Sequence, residues 1–212
     1  EKFLNLLDKV GQTILLSGAT STEEALAATT DGKTIDVLLS EATATIGEKF
    51  TLRRVTRVTK QADQLFGAYK HMGGRIVSLA LLNGGNDVVA KDIAMHVAAQ
   101  KPLYLDQTQI SADFIAKEKD ILLHQALEEN SKEAKPKPQN ILEKMVEGRL
   151  NKQLKEICLL NQPFVKNPDE TVEQYVKNAK ATVVSFIRLE IGEGIEKKEN
   201  DFAKEVMEQI RA

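Results

Sequence analysis

A glycine-free stretch of the chain places the strongest constraint on its fold. No glycine lies between Gly85 and Gly148, and Pro136 and Pro138 interrupt this stretch. Because glycine and proline are the residues that most often end helices, this distribution indicates two helices joined by a turn. The second helix carries apolar residues at helical spacing, at Leu142, Val146, Leu150 and Leu154. We therefore expect an antiparallel helical hairpin at about residues 111–160.

The first hundred residues combine helical and strand patterns. Apolar spacing and capping residues predict four helices, at residues 1–17, after Ser21, around 35–46 and over 87–100. β-Branched residues and glycine turns predict three strands, at residues 50–59, near 69–74 and over 75–82. This part of the chain is therefore predicted to pack helices against a small antiparallel sheet.

The end of the chain returns to mixed structure. Asn167, Pro168 and Glu170 together form a signal for the start of a helix. Residues 182–191 alternate apolar and polar side chains as a strand does, and residues 199–211 show the spacing of a closing helix.

The order of these patterns predicts an α+β fold, in which helices flank small antiparallel sheets. We expect a first subdomain at residues 1–100 and a second at residues 101–195, with the helical hairpin inserted into the second. The closing helix forms a separate helical module at residues 196–212.

Composition excludes several classes of protein. The chain has 29 Lys and Arg against 31 Asp and Glu, a net charge of −2, which argues against a general nucleic-acid binder. No apolar run approaches the ~20 residues that cross a bilayer. The single cysteine, Cys158, permits no internal disulfide and suits a reducing compartment, which favours a cytoplasmic protein. One basic cluster, at Arg53, Arg54, Arg57 and Lys60, leaves either RNA contact or pairing with carboxylates open.

Motifs for catalysis and cofactor binding are incomplete in this sequence. The segment 31–34 resembles the end of a phosphate-binding loop, but Ala27 replaces the first glycine that such a loop needs. The glycines at 192 and 194 are followed by Lys197 where a dinucleotide-binding motif has a third glycine. The three histidines are too widely spaced for a zinc site. We therefore expect no active site, no metal and no cofactor.

His96 is the histidine that merits a functional interpretation. It lies three residues after Ile93 and four after Asp92, at the margin of the apolar face of its helix. Two interpretations stay open on spacing alone: a half-buried histidine paired with Asp92, or an amphipathic side chain on a surface that faces a partner.

Six segments of the chain resemble bacterial translation elongation factor Ts. They occur in the order found in that family, and the resemblance extends over nearly all of the chain. The segments lie at residues 46–55, 71–76, 91–105, 140–160, 162–169 and 187–196. The strings MVEGRLNK and GEGIEKKENDFA are long enough to make coincidence an inadequate explanation.

The resemblance implies a guanine-nucleotide exchange factor rather than an enzyme. Members of this family bind the GTPase elongation factor Tu in its GDP-bound and nucleotide-free forms, and they promote GDP release during translation elongation. No membrane or direct nucleic-acid contact is expected. The fold of the family, two related α+β subdomains with small antiparallel sheets, a helical hairpin and a C-terminal helical module, agrees with the patterns above.

Three groups of residues match positions at which the family contacts its partner. The first is His96. The second, a strand start near the nucleotide-binding side of the partner, is Gly74, Arg75 and Ile76. The third, in the C-terminal module, is Phe202, Val206 and Met207. A place in the core stays an alternative for each of them.

The N-terminal helical domain of the family and its Thr-Asp-Phe-Val motif have no counterpart in this sequence. In the family, that motif disturbs the nucleotide site of the partner. We therefore expect a C-terminal fragment that touches the partner but expels GDP poorly. Two alternatives stay open: a helical-hairpin scaffold that binds another protein or RNA, and a small enzyme with a dispersed acid/base site.

Overall fold

The computed structural model describes residues 2–194. The chain forms two compact units that divide between Thr59 and Lys60. Each unit contains helices and at least one small antiparallel sheet, so the predicted α+β fold is confirmed. The subdomain boundaries expected at residues 100 and 195 stay a prediction.

Helices dominate the first unit. Its elements are α1 (Lys2–Ser17), α2 (Thr22–Ala27), β1 (Thr29–Thr30), β2 (Lys33–Thr34) and α3 (Ile35–Ile46). The three helices predicted in this region are confirmed. Hydroxyl groups cap two of them, because Ser21 accepts a hydrogen bond from the Glu24 N–H at 3.2 Å and Thr34 accepts one from the Val37 N–H at 3.3 Å. Each bond satisfies a donor that a helix start leaves free.

The strand expected at residues 50–59 is not present, and this prediction was wrong. Residues 49–61 belong to no helix or strand, and none of the three sheets in the described part of the chain includes them. β-Branched residues favour extended backbone, but an extended segment becomes a strand only where a neighbour supplies ladder hydrogen bonds. The local sequence indicates a preference for extended backbone, but it does not indicate whether a neighbouring strand is present to pair with it.

A three-stranded antiparallel sheet lies at the centre of the second unit. Its strands are β3 (Gln64–His71), β4 (Ile76–Gly84) and β7 (Ala181–Glu190), in the spatial order β3-β4-β7. β3 and β4 form a continuous ladder, and a bulge between Leu81 and Leu82 shifts the register between β4 and β7. The strands expected over 75–82 and over 182–191 are thus confirmed. The strand expected near 69–74 is confirmed only in part, since β3 begins and ends earlier and Met72–Gly74 is a 3-10 turn. The sheet joins strands from both sides of the helical hairpin.

Helix α4 (Asp87–Gln100) packs across one face of this sheet. Its apolar residues meet Ala80 and Leu82 of β4 in the main core. Gly67 of β3 permits the close approach, because a Cβ at this position would lie 1.8 Å from the carbonyl oxygen of Ala90. The helix expected at residues 87–100 is therefore confirmed, and a glycine on the facing strand sets its distance from the sheet.

Two long helices form the predicted hairpin. These are α5 (Ala112–Ser131) and α6 (Gln139–Ile157). Ala126, Leu142 and Val146 are buried between them. The Asn130 side chain closes the turn, because its amide donates to the Lys137 carbonyl at 3.1 Å and accepts from the Lys137 N–H at 2.7 Å.

A short hairpin and a helix follow α6. These elements are β5 (Pro163–Phe164), β6 (Asn167–Thr171) and α7 (Val172–Asn178). The helix start expected at Asn167 was wrong, since α7 begins after Thr171, whose side chain forms a capping box with Gln174. Pro168 is tolerated in β6 because this strand pairs on one side only, with β5.

Within residues 2–194, none of the helices combines the length and the apolar character that crossing a membrane would require. The closing helix expected at residues 199–211 lies outside the described residues.

Candidate partner-binding site

His96, which the sequence places at the margin of an apolar face, is fully buried. Its exposed fraction is 0%. Ala94 and Ala98 of the same helix point to the sheet, where their carbonyl oxygens accept hydrogen bonds from Ser78 and Arg188. The histidine lies on the other side of α4 and contacts the segment that follows α6. The structure thus gives His96 an interior position and no surface of its own.

Two hydrogen bonds define the protonation state of His96. The Val165 N–H donates to Nδ1 at 3.1 Å, and Nε2 lies 2.9 Å from Oε1 of Gln162. Because a backbone N–H can only donate, Nδ1 carries no proton and Nε2 donates to Gln162. The Gln162 amide group donates to the Glu156 carbonyl at 2.7 Å, which turns its oxygen toward the histidine. Every group in this arrangement is satisfied when the histidine is neutral.

Burial reinforces this neutral state. Removal from water lowers the pKa of His96 below its usual value of 6.5, and the smaller effect of the hydrogen bond to Gln162 opposes it. A second proton would have to occupy Nδ1 and break the bond from Val165. His96 is therefore uncharged near pH 7 in the folded protein.

Phe164 lies between two other rings. Its ring centroid is 5.9 Å from that of His96 and 4.0 Å from that of Tyr175, in stacked geometry in both cases. Phe164 is 2% exposed, so the stack anchors β5 in the main core.

Asp92 pairs with residues other than His96. Its carboxylate accepts hydrogen bonds from Lys166 Nζ at 2.5 Å and from the Tyr175 hydroxyl at 2.9 Å. Of the two interpretations left open for His96, the pair with Asp92 is therefore wrong, because both oxygens of the carboxylate bind other partners. Burial, together with the hydrogen bond to Asp92, raises the pKa of Tyr175 to about 12. Asp92 thus connects α4 to the turn between β5 and β6 through Lys166, and to α7 through Tyr175.

The turn that contains Gly74, Arg75 and Ile76 lies at one end of the sheet. Gly74 ends a short 3-10 turn with φ of 100°, a conformation that glycine adopts without strain. Arg75 is exposed, and its carbonyl accepts a hydrogen bond from the Ile191 N–H at 2.9 Å. Ile76 begins β4, and the neighbouring Met72 is 63% exposed. These residues form a surface turn held to β7.

A set of charged residues that no sequence pattern had indicated lies at the same end of the sheet. Glu190 accepts from Lys101 Nζ at 2.9 Å and from Arg188 Nη1 at 2.8 Å, and these two interactions lower its pKa. Arg188 Nε also donates to the Ala98 carbonyl at 3.2 Å. Because Glu190 lies opposite Ile76 in the sheet, these contacts fix the end of α4 beside the exposed turn.

The remaining expected site residues, Phe202, Val206 and Met207, lie outside the described residues. Across residues 2–194, no group of three or more His, Cys, Asp or Glu side chains is placed to hold a metal ion. Cys158 is buried, and burial raises the pKa of its thiol, which disfavours the reactive thiolate.

Sequence reasoning missed the partners of His96. Gln162 and Val165 lie 66 and 69 residues further along the chain. A buried polar ring requires hydrogen-bonding partners, and the side-chain amide of Gln162, close to the apolar residues Phe164 and Val165, is the signal in the sequence that could have indicated one. Periodicity within one helix carries no such signal.

The fold and this cluster describe an α+β protein with a polar network buried between α4 and the segment that follows α6. The family model described as Elongation factor TS matches residues 1–193. A relative, Elongation factor Ts from Lactiplantibacillus plantarum, is 48% identical over 211 residues, which is 100% of this chain and 70% of the relative. The chain belongs to the elongation factor Ts family.

Proposed function

We propose that this protein is a guanine-nucleotide exchange factor for the GTPase elongation factor Tu, and that it promotes GDP release during translation elongation. Membership of the elongation factor Ts family over residues 1–193 carries this function. It is not a catalyst of a chemical reaction in the usual sense, since exchange forms and breaks no covalent bond.

Exchange of this kind is a coupling between two ligands of one protein. The factor and the nucleotide each weaken the binding of the other, by the same amount of free energy. A thousandfold weaker hold on GDP corresponds to roughly 4 kcal/mol. A broad contact surface that favours one conformation of the GTPase can supply this free energy without a catalytic group.

Several finer features belong to the same proposal. The factor binds elongation factor Tu in its GDP-bound and nucleotide-free forms, and reciprocal coupling makes the nucleotide-free form the tighter partner. It needs no direct contact with nucleic acid. Because its partner works in translation, it acts in the cytoplasm. Its subdomains divide at residue 100, and the helical module begins at residue 196.

The three proposed groups of contact residues differ in what supports them. The exposed turn at Gly74, Arg75 and Ile76 is a suitable contact because Glu190 and the end of α4 hold it in place. The group Phe202, Val206 and Met207 rests on the family resemblance. His96 is buried, so its contribution to binding is indirect, through Gln162 and Val165, to which it is hydrogen-bonded. The scaffold alternative is not favoured, because the family match accounts for the hairpin as well.

A nucleotide-release assay tests this function. Elongation factor Tu is loaded with fluorescent GDP, unlabelled GDP is added in excess, and the release rate is followed with and without this protein. We expect the release rate to rise with the concentration of the factor and to reach a plateau at saturating factor, because GDP then leaves from the complex of factor and GTPase. Heat-denatured protein and an unrelated acidic protein serve as controls. An unchanged rate at saturating factor would contradict the proposal.

A further inference from the structure

Met72 combines an unusual backbone conformation with an exposed side chain. Three successive residues at the turn between β3 and β4, Met72, Gly73 and Gly74, have positive φ values of 49°, 69° and 100°. Glycine adopts this left-handed conformation freely, whereas any other residue brings its Cβ too close to the following carbonyl oxygen. Met72 therefore has a strained backbone, and yet 63% of the residue is exposed.

Strain at an exposed residue indicates that its side chain has a use at the surface. Core packing does not account for a methionine here, because most of it lies in solvent, and glycine or asparagine would fit the backbone better. Strained residues of this kind cluster at functional sites. The turn itself is held to β7, since the Ile191 N–H donates to the Arg75 carbonyl at 2.9 Å. A fixed backbone thus presents a thioether to solvent.

The other sulfur atoms in the described part of the chain are less accessible. Met95 and Met145 are half-buried, in α4 and α6. Cys158 is 0% exposed, and burial raises the pKa of its thiol, so the reactive thiolate is disfavoured. Met207 lies outside the described residues. Because oxidation of a sulfur atom follows its exposure, an oxidant in solution meets Met72 before the other three described sulfur atoms.

Oxidation of an exposed methionine requires no catalytic group. Hydrogen peroxide transfers one oxygen atom to the thioether: an S–O bond forms, the peroxide O–O bond breaks, and water leaves. The sulfur atom is oxidised by two electrons, and the peroxide is reduced by the same two. The product is a sulfoxide, which is polar where the thioether is apolar. At an exposed position the new oxygen lies in water, so the fold of the free protein is not disturbed.

We propose that Met72 is an oxidation site, at which hydrogen peroxide converts the exposed thioether to a sulfoxide, and that this modification weakens nucleotide exchange. The second part rests on the proposed function, because Met72 adjoins the proposed contact group Gly74, Arg75 and Ile76. A sulfoxide that leaves water on binding, without gaining a hydrogen-bonding partner, raises the free energy of the complex. The modification therefore acts on affinity and not on the stability of the free protein.

A peroxide titration of the purified protein locates the modification. Wild type is treated with graded amounts of hydrogen peroxide, catalase removes the excess, and peptide mass spectrometry measures the sulfoxide at each methionine, Met207 included. At the dose that converts about half of Met72, we expect less than about one tenth of Met145 to be converted, because exposure governs the rate. Thermal unfolding of the treated protein should match that of the untreated protein.

Nucleotide release is then measured over a series of factor concentrations, with GTPase that has met no peroxide. Oxidation should raise the factor concentration for half-maximal release about fivefold and leave the plateau unchanged, the effect of one unpaired polar group taken from water. Met72→Leu keeps an apolar side chain without sulfur, and Met145→Leu is the matched control, because it removes a half-buried methionine from α6. Each variant is compared with its own untreated sample. M72L should lose the response to peroxide, and M145L should keep it.

A third variant tests the polarity of the site without any oxidant. Met72→Gln and Met72→Leu have the same backbone and both lack the thioether, so they differ mainly in the polarity of the exposed side chain. If a polar group at this position weakens binding, the factor concentration for half-maximal release should be about fivefold higher for M72Q than for M72L.

Each result decides one part of the proposal. Sulfoxide formed first at Met72, a response to peroxide that M72L lacks and M145L keeps, and weaker exchange by M72Q than by M72L support it. Faster oxidation of Met145 than of Met72 would overturn the assignment of the site. Unchanged exchange by the oxidised wild type, an equal response in M72L, or a response accompanied by unfolding would overturn the link to exchange, while the proposed function stands. If the untreated wild type does not accelerate release, the proposed function fails, and the mass spectra still decide whether Met72 is the oxidation site.

Discussion

His96 is held neutral by two fixed neighbours, and this has a consequence for stability at the scale of a single residue. Both ring nitrogens are engaged only in the uncharged form. In the unfolded chain the ring titrates freely, near its usual pKa of 6.5. Folding therefore favours loss of a proton from this residue.

The free energy of unfolding should depend on pH through this histidine. Because the folded pKa lies below the unfolded one, the unfolded state binds more protons between the two values, and stability falls as the pH falls. The contribution of His96 is complete above about pH 6.5 and is lost progressively below it. Urea unfolding at a series of pH values from 7.5 to about 5 measures the effect.

The H96N variant is the control for this pH dependence. It lacks the titrating ring and keeps every other ionisable group, including Asp92, Lys166 and Tyr175 around the site and the other histidines. The difference between the two chains therefore isolates His96. Parallel pH profiles for wild type and H96N would contradict the neutral state assigned to this residue.

At the scale of elements, the distance between α4 and the sheet depends on one missing side chain. Gly67 faces the backbone of α4, where a Cβ would lie 1.8 Å from the Ala90 carbonyl oxygen and 2.7 Å from the Lys91 nitrogen. Backbone atoms cannot rotate away as the end of a side chain can. Any substitution at this position must move the helix.

Gly67→Ala should therefore destabilise the protein by about 3 kcal/mol or more, since a helix displaced from the sheet loses core packing. Gly148→Ala is the matched control. Gly148 lies inside α6 with nothing within 4 Å of its Cβ position, so alanine should stabilise the helix by about 0.5–1 kcal/mol. Chemical denaturation of both variants measures the two changes. A G67A protein as stable as wild type would show that α4 can shift at no cost.

Elements with local signals could be predicted from the sequence, and elements that depend on distant partners could not. Ser111 caps α5, and apolar spacing along α6 marks the hairpin, so both helices follow from neighbouring residues. Residues 50–59 have the composition of a strand, yet their conformation depends on a neighbour that the local pattern does not specify. The environment of His96 depends on Gln162 and Val165, which lie far along the chain, so spacing within α4 could not identify its hydrogen-bonding partners.

At the scale of the whole molecule, the proposed function requires that this protein and GDP each weaken the binding of the other to the GTPase. Reciprocal coupling makes the competition quantitative, because the factor by which the protein weakens GDP binding is also the factor by which GDP weakens binding of the protein. No chemical step is needed for this effect, which depends on the relative affinities of two conformations.

A complex of this protein with nucleotide-free elongation factor Tu should therefore dissociate when GDP is added. Release of this protein from the GTPase can be measured by gel filtration, or by a binding assay in which the GTPase is immobilised on a surface. ATP at the same concentration serves as the control. The GDP concentration at half-release should rise with the concentration of the factor. A complex that persists at saturating GDP would indicate a scaffold rather than an exchange factor.

The pairing of β4 with β7 determines when the central sheet can be completed. Ile76 pairs with Glu190, and the whole helical hairpin is made between these two strands. The hairpin is stabilised by contacts close in sequence, which form quickly, whereas the last strand pair requires closure of a very long loop. During synthesis β4 therefore leaves the ribosome with the hydrogen-bonding groups of one edge unpaired. They stay unpaired until β7, the last strand in the described part of the chain, has been synthesised and pairs with them.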